Sequence, residues 1–146
     1  MDKLWILNAD ETRGRIFKTD EFIGELEEYI DMVHPEARLS ESDLAHHSRG
    51  RSRDSDVSKG HGLNQQGALK EHQAEVFAKE VADKLIQSDS QHLFRYLIIV
   101  APPKFLGLLR KKLNVNVLEK IHMEINKELS HLSTHEFKQH LEKIAM

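Results

Sequence analysis

The residues of this chain whose types bear on chemistry are the acids Asp10 and Glu71, the histidines His46, His47 and His61, and the alternating arginines Arg49, Arg51 and Arg53. Carboxylates gathered around two metal ions suit phosphoryl-transfer chemistry, because the ions stabilise the attacking and the leaving oxygen together. Histidines suit metal ligation or proton transfer near neutral pH. Arginines two residues apart suit a row of phosphates.

The histidines lack the spacing that ligation needs. Adjacent histidines in a strand point to opposite faces, and in a loop they rarely chelate together. His61, with Asp54 or Asp56, would have to complete a set, and no HExxH pattern is present. No metal site is expected here, and no cofactor. Ser48, Ser52, Ser55 and Ser58 lie near these histidines without a G-x-S-x-G elbow, so an activated serine is not expected either.

Between His46 and Gly67 there remain Arg49, Arg51, Arg53 and Lys59, four cations against the two acids Asp54 and Asp56. Two readings stay open: the cations track an anionic partner, or they pair within a solvated loop. Gly60-His61-Gly62-Leu63-Asn64-Gln65-Gln66-Gly67 precedes a helical stretch, and a helix N-terminus offers free N–H groups to an anion. It is neither a P-loop nor a dinucleotide fingerprint, and no strand directly precedes it. The binding roles assigned from sequence are anion contact for Arg49, Arg51, Arg53 and Lys59, and polar contact for His61, Asn64, Gln65 and Gln66.

Bulk properties narrow the setting. At 146 residues the chain suits one domain, residues 1–146. With 39% hydrophobic and 31% charged residues it has a globular composition, so a disordered chain is excluded. The absence of cysteine excludes disulfides and thiolate chemistry. Met1-Asp2-Lys3-Leu4-Trp5-Ile6-Leu7 is too short an apolar run for a secretory signal, and no stretch suits a membrane span. A cytoplasmic protein without membrane insertion is expected. The net charge of −3 argues against global attraction to nucleic acid.

The elements that must position these residues follow from periodicity. Leu4-Trp5-Ile6-Leu7 reads as a strand buried on both faces, Arg13-Gly14 as a turn, and Arg15-Ile16-Phe17-Lys18 as a paired strand. Phe22 to Val33 suits a helix or a strand by spacing alone. The strand is preferred because it completes a sheet, and Pro35 stops a helix beyond His34. Residues 40–67 form a long flexible loop in this reading. Glu71 to Gln87 carries an apolar stripe of Ala74, Phe77, Ala78, Val81 and Leu85, which predicts a helix. Leu97-Ile98-Ile99-Val100 predicts a central parallel strand. Pro102-Pro103 predicts a helix start, with Phe105, Leu106, Leu109 and Leu113 inward. Arg110, Lys111 and Lys112 then oppose the negative helix end, which accounts for most of the basic group they form with Lys104. Ile121, Met123 and Ile125 alternate with polar residues as in a half-buried edge strand. Ser133-Thr134-His135-Glu136 is a capping box opening a last helix with Phe137, Leu141 and Ile144 inward. His122, His131, His135 and His140 read as surface residues.

The predicted fold is α/β, a ribonuclease-H-like mixed five-stranded sheet in the order β-β-β-α-β-α-β-α with helices packed on it. Nucleases of that fold carry a further acid at the end of the fourth strand, where this chain reads Val100-Ala101-Pro102-Pro103. Asp10 and Glu71 alone fit a turn residue and a helix-terminus charge, and nuclease activity is rejected. No complete catalytic constellation is present.

Four segments, in order, carry a resemblance. They are Leu4 to Asp10 with Gly14-Arg15-Ile16-Phe17; His34-Pro35-Glu36-Ala37-Arg38; Gly50-Arg51-Ser52; and Phe77-Ala78-Lys79-Glu80 leading to Ala101-Pro102-Pro103-Lys104-Phe105-Leu106-Gly107-Leu108-Leu109-Arg110. Together they resemble the bacterial host attachment proteins, over nearly the whole chain. That family is similar in turn to the middle domain of eukaryotic and archaeal peptide-chain release factors, in which a glycine-glycine-glutamine loop precedes a long helix. Here Gly62-Leu63-Asn64-Gln65-Gln66 stands at the comparable place without that tripeptide, so peptidyl-tRNA hydrolysis does not transfer. The decoding and factor-binding domains of a release factor are also missing. The resemblance implies a non-enzymatic binding domain, with the partner unknown. The alternatives are RNA or ribosome contact through residues 46–67, and a metal- or histidine-dependent hydrolase.

Overall fold

A computed structural model of the chain describes residues 4–21, 24–34 and 55–145. Five strands form one mixed sheet: β1 (Leu4–Ala9), β2 (Arg13–Thr19), β3 (Glu27–Val33), β4 (Tyr96–Val100) and β5 (Ile121–Ile125), in the spatial order β3-β2-β1-β4-β5. β2 runs antiparallel to both β1 and β3, while β4 is parallel to β1 and β5. Among the described residues four helices accompany the sheet: α1 (Ser55–Ser90), α2 (Pro103–Lys112), α3 (Val115–Lys120) and α4 (Thr134–Ala145).

β1 and β4 are apolar on both faces because both faces are covered. Trp5, Leu7, Leu97 and Ile99 join a core with Phe77, Val81 and Leu85 of α1 and with Phe105 and Leu109 of α2. Ile6, Phe17, Ile98 and Val100 join a second core with Phe137 and Leu141 of α4. This is the condition under which parallel strands lose polar alternation and read as continuous hydrophobic runs.

Several local expectations hold. β3 is a strand, α2 starts at Pro103, and Phe105, Leu106, Leu109 and Leu113 are buried. The capping box forms: Ser133 Oγ accepts from the Glu136 amide at 3.1 Å, and Glu136 Oε1 accepts from the Ser133 amide at 3.2 Å.

Other expectations need correction. Arg13 and Gly14 lie in β2 and not in the turn, which is tightened to residues 10–12 by Asp10 Oδ1 accepting from the Thr12 and Arg13 amides. Gly14 serves close packing: a Cβ there would stand 3.3 Å from Val81 Cγ2 and 3.7 Å from Phe77 Cζ, so the missing side chain lets α1 lie tight on the sheet. The long helix begins at Ser55 and not near Glu71, so residues 55–67 of the expected loop have helical backbone. No proline interrupts the chain between Pro35 and Pro102, and glycine lowers helix propensity without blocking the hydrogen-bond ladder. The short helix α3 was not anticipated; Asn114 caps it by accepting from the Val117 amide.

β5 is the expected edge strand, but its alternation is broken. Ile121 pairs with Leu97 and Met123 with Ile98, so His122 is an extra residue in β5. One extra residue reverses which face each later side chain meets. Ile121 therefore packs with the first core, Ile125 with the second, and Met123 is left 37% exposed.

Candidate functional site

The turn after β1 and the segment after β4 leave the sheet side by side and then part: β1 continues into β2 on one flank, and β4 continues into α2 on the other. In open α/β sheets such a divergence at the carboxyl ends of neighbouring parallel strands leaves a crevice. Here it is an open cleft of about 660 Å³, bordered also by α1 and by the segment between β5 and α4. Four carboxylates line it, those of Asp10, Glu11, Glu71 and Glu128. Lys70, Lys104 and His131 line it as well. Lys104 Nζ stands 3.6 Å from Glu71 Oε1, an exposed ion pair that holds little energy but links α1 to α2 across the cleft.

Asp10 is the anchor of this site and is 4% exposed. Its Oδ1 accepts from the Thr12 amide at 2.8 Å, the Thr12 hydroxyl at 2.8 Å and the Arg13 amide at 2.9 Å. Its Oδ2 accepts from the Ser130 hydroxyl at 2.5 Å. Burial by itself pushes the Asp10 carboxyl up, but the Ser130 hydroxyl, the Thr12 amide and hydroxyl and the Arg13 amide together outweigh it and hold the group below the ordinary aspartate range. Asp10 is therefore a carboxylate at neutral pH.

The segment from Asn126 to Ser133 is pinned to the sheet by side chains from β1 and β2. Asn8 Nδ2 donates to the Leu129 carbonyl at 2.9 Å, Ser130 bonds to Asp10, and Arg15 Nη1 donates to the Leu132 carbonyl. Arg15 is itself held by Glu28, whose Oε1 accepts from Nε at 2.9 Å and from Nη2 at 2.7 Å. Glu128 and His131 lie within this pinned segment. His131 Nε2 stands 3.4 Å from Glu128 Oε1 and 3.5 Å from Asp10 Oδ2. Ser130 is fully buried and donates its hydroxyl proton to Asp10, which holds the acid in place.

The structure brings together the two acids singled out in the sequence, since Asp10 and Glu71 both border the cleft. No acid arrives from the end of β4, where Ala101 and Pro102 stand. Arg49, Arg51 and Arg53 lie outside the described residues. Lys59, His61, Asn64, Gln65 and Gln66 lie on the backbone of α1, upstream of Gly67 and Lys70 at the cleft wall, and their side chains are outside the described residues. Sequence reasoning missed Asn8, Glu128 and Ser130, and read His131 only as a surface residue. His131 is exposed, but it also faces Asp10. Glu128 and His131 lie three apart, which is the one signal that local spacing offered.

No helix among the described residues is long and apolar enough to cross a membrane. No curated protein matches the chain. A family model described as protein required for attachment to host cells matches residues 5–141, which takes in β1 from Trp5, the other four strands of the sheet, the Asp10 turn and the segment bearing Glu128 and His131. The chain belongs to the host attachment family.

Proposed function

We propose that residues 1–146 form a single non-enzymatic binding domain of the cytoplasm, built on a ribonuclease-H-like sheet, that serves attachment to host cells by holding a polar, charged ligand in the cleft between β1 and β4. The observation that carries this reading is the cleft itself. Its volume of about 660 Å³ falls in the range of small-molecule and cofactor sites, roughly 300–1,000 Å³. Its described lining offers charges of both signs, Lys70, Glu71 and Lys104 from the helices and Asp10, Glu11 and Glu128 from the loops. The Thr12 hydroxyl in the cleft donates to Asp10, as does the buried Ser130 hydroxyl behind it.

The test is genetic. A strain carrying Lys70→Glu with Lys104→Glu should attach to host cells as poorly as a strain lacking the protein, while circular dichroism of the purified variant matches wild type. Wild-type attachment by a folded variant would remove the cleft from the function.

RNA or ribosome contact is a second reading, favoured by the excess of cations at Arg49, Arg51, Arg53 and Lys59 and by the passage of α1 from that segment to the cleft wall. His61, Asn64, Gln65 and Gln66 would add polar contacts. This reading predicts salt-dependent binding to tRNA or ribosomes that weakens when the three arginines are replaced by alanine together. Affinity unchanged by that replacement, or by salt, would dismiss it.

A further inference from the structure

We propose that Asp10, Glu128 and His131 form a site for one divalent transition-metal cation of the zinc class, with an open coordination position facing the cleft. The three side chains present one ligand atom each, and these atoms lie within 4.8 Å of one another.

The separations decide between a metal site and a hydrogen-bonded cluster. His131 Nε2 is 3.5 Å from Asp10 Oδ2 and 3.4 Å from Glu128 Oε1. An N–H···O bond closes to roughly 2.7–3.2 Å, so His131 is too distant to be bonded well to either carboxylate. A tetrahedral ion with bonds of about 2.1 Å holds its ligand atoms about 3.4 Å apart, which is the spacing of His131 from each carboxylate, and the set as a whole lies within 4.8 Å.

The surroundings suit ligation. Each carboxylate oxygen offers about two lone-pair directions. Oδ2 of Asp10 gives one to the Ser130 hydroxyl and keeps the other, while Oδ1 is occupied by Thr12 and Arg13. Those bonds orient the ligand as outer-shell partners do in metal sites. Asn8, Ser130 and Arg15 fix the backbone at Leu129, Ser130 and Leu132, so Glu128 and His131 depart from a held segment. One imidazole with two carboxylates favours zinc or manganese over magnesium, which prefers oxygen and water. Three protein ligands leave a fourth position for solvent or for an anionic group of a ligand.

The experiment titrates metal-free full-length chain with zinc chloride and, separately, manganese chloride in a calorimeter. One equivalent is expected to bind, with affinity reduced about tenfold or more in His131→Ala and in Glu128→Gln. Both side chains are exposed, so both variants should keep wild-type unfolding curves without metal, while His135→Ala, away from the cleft, should titrate like wild type. Absence of saturable binding by either metal, or binding that His131→Ala and Glu128→Gln leave intact, would overturn the site. The titration needs no attachment partner, so its outcome stands apart from that of the Lys70 and Lys104 test.

Discussion

The Ser130 hydroxyl donates to Asp10 Oδ2 at 2.5 Å, joining residues 120 positions apart in the chain and both buried. The bond ties the turn after β1 to the segment after β5, on either side of β4. Ser130→Ala removes a donor to a charged acceptor that burial keeps from water, a loss of about 1.5–3 kcal/mol. Urea denaturation at neutral pH should show that loss without a change in the slope of the transition.

Asp10 also sets a pH dependence. Its folded-state pKa is depressed, so its stabilisation is fully present above the ordinary unfolded value of 3.8 and is lost as pH falls through the folded value. Stability of the wild-type chain should therefore decline below about pH 4. Asp10→Asn should be less stable at pH 7 and should show a shallower decline between pH 5 and pH 3. Parallel declines in the two proteins would show that other carboxylates govern acid sensitivity.

Arg15 is buried, and its guanidinium bridges Glu28, the Leu132 carbonyl and Thr134 Oγ1. Arg15→Met keeps the apolar stem of the side chain and removes these bonds, costing about 2–3 kcal/mol. Amide hydrogen exchange should quicken between residues 126 and 133 more than in β4. Equal protection in both proteins would show that the segment does not depend on Arg15.

Phe137 meets Phe17 with ring centroids 5.2 Å apart and is the largest side chain that α4 buries against the second face of the sheet. Phe137→Ala should destabilise the domain by about 3–5 kcal/mol, the range for truncating a buried aromatic. A thermal melt with near-wild-type midpoint would mean that α4 adds little to the fold.

Ser133→Ala deletes one half of the capping box while leaving the core untouched. The expected loss is about 1 kcal/mol, smaller than for Phe137→Ala, because the bonds lie on an exposed surface. Ser133→Asp, which keeps a capping oxygen, should recover most of it.

The sequence by itself determined the elements whose causes lie within a few residues. The proline start of α2 and the Ser133–Glu136 box were readable because the interactions that produce them span four residues or fewer, and β1 was readable because burial on both faces leaves a continuous apolar run in the local sequence. Family membership was readable too, since ordered short motifs survive in linear order. Tertiary structure decided the rest. The extra residue at His122 turns Met123 outward, and only pairing with β4 reveals it. Composition read residues 55–67 as loop, but the backbone there is helical, because glycine weakens a helix without ending one. The site was the least legible part: Asp10, Glu128 and His131 acquire meaning from separations of a few ångströms between atoms more than 100 residues apart. Periodicity reports which face of an element is buried; it carries no information on which loop ends meet when the sheet closes.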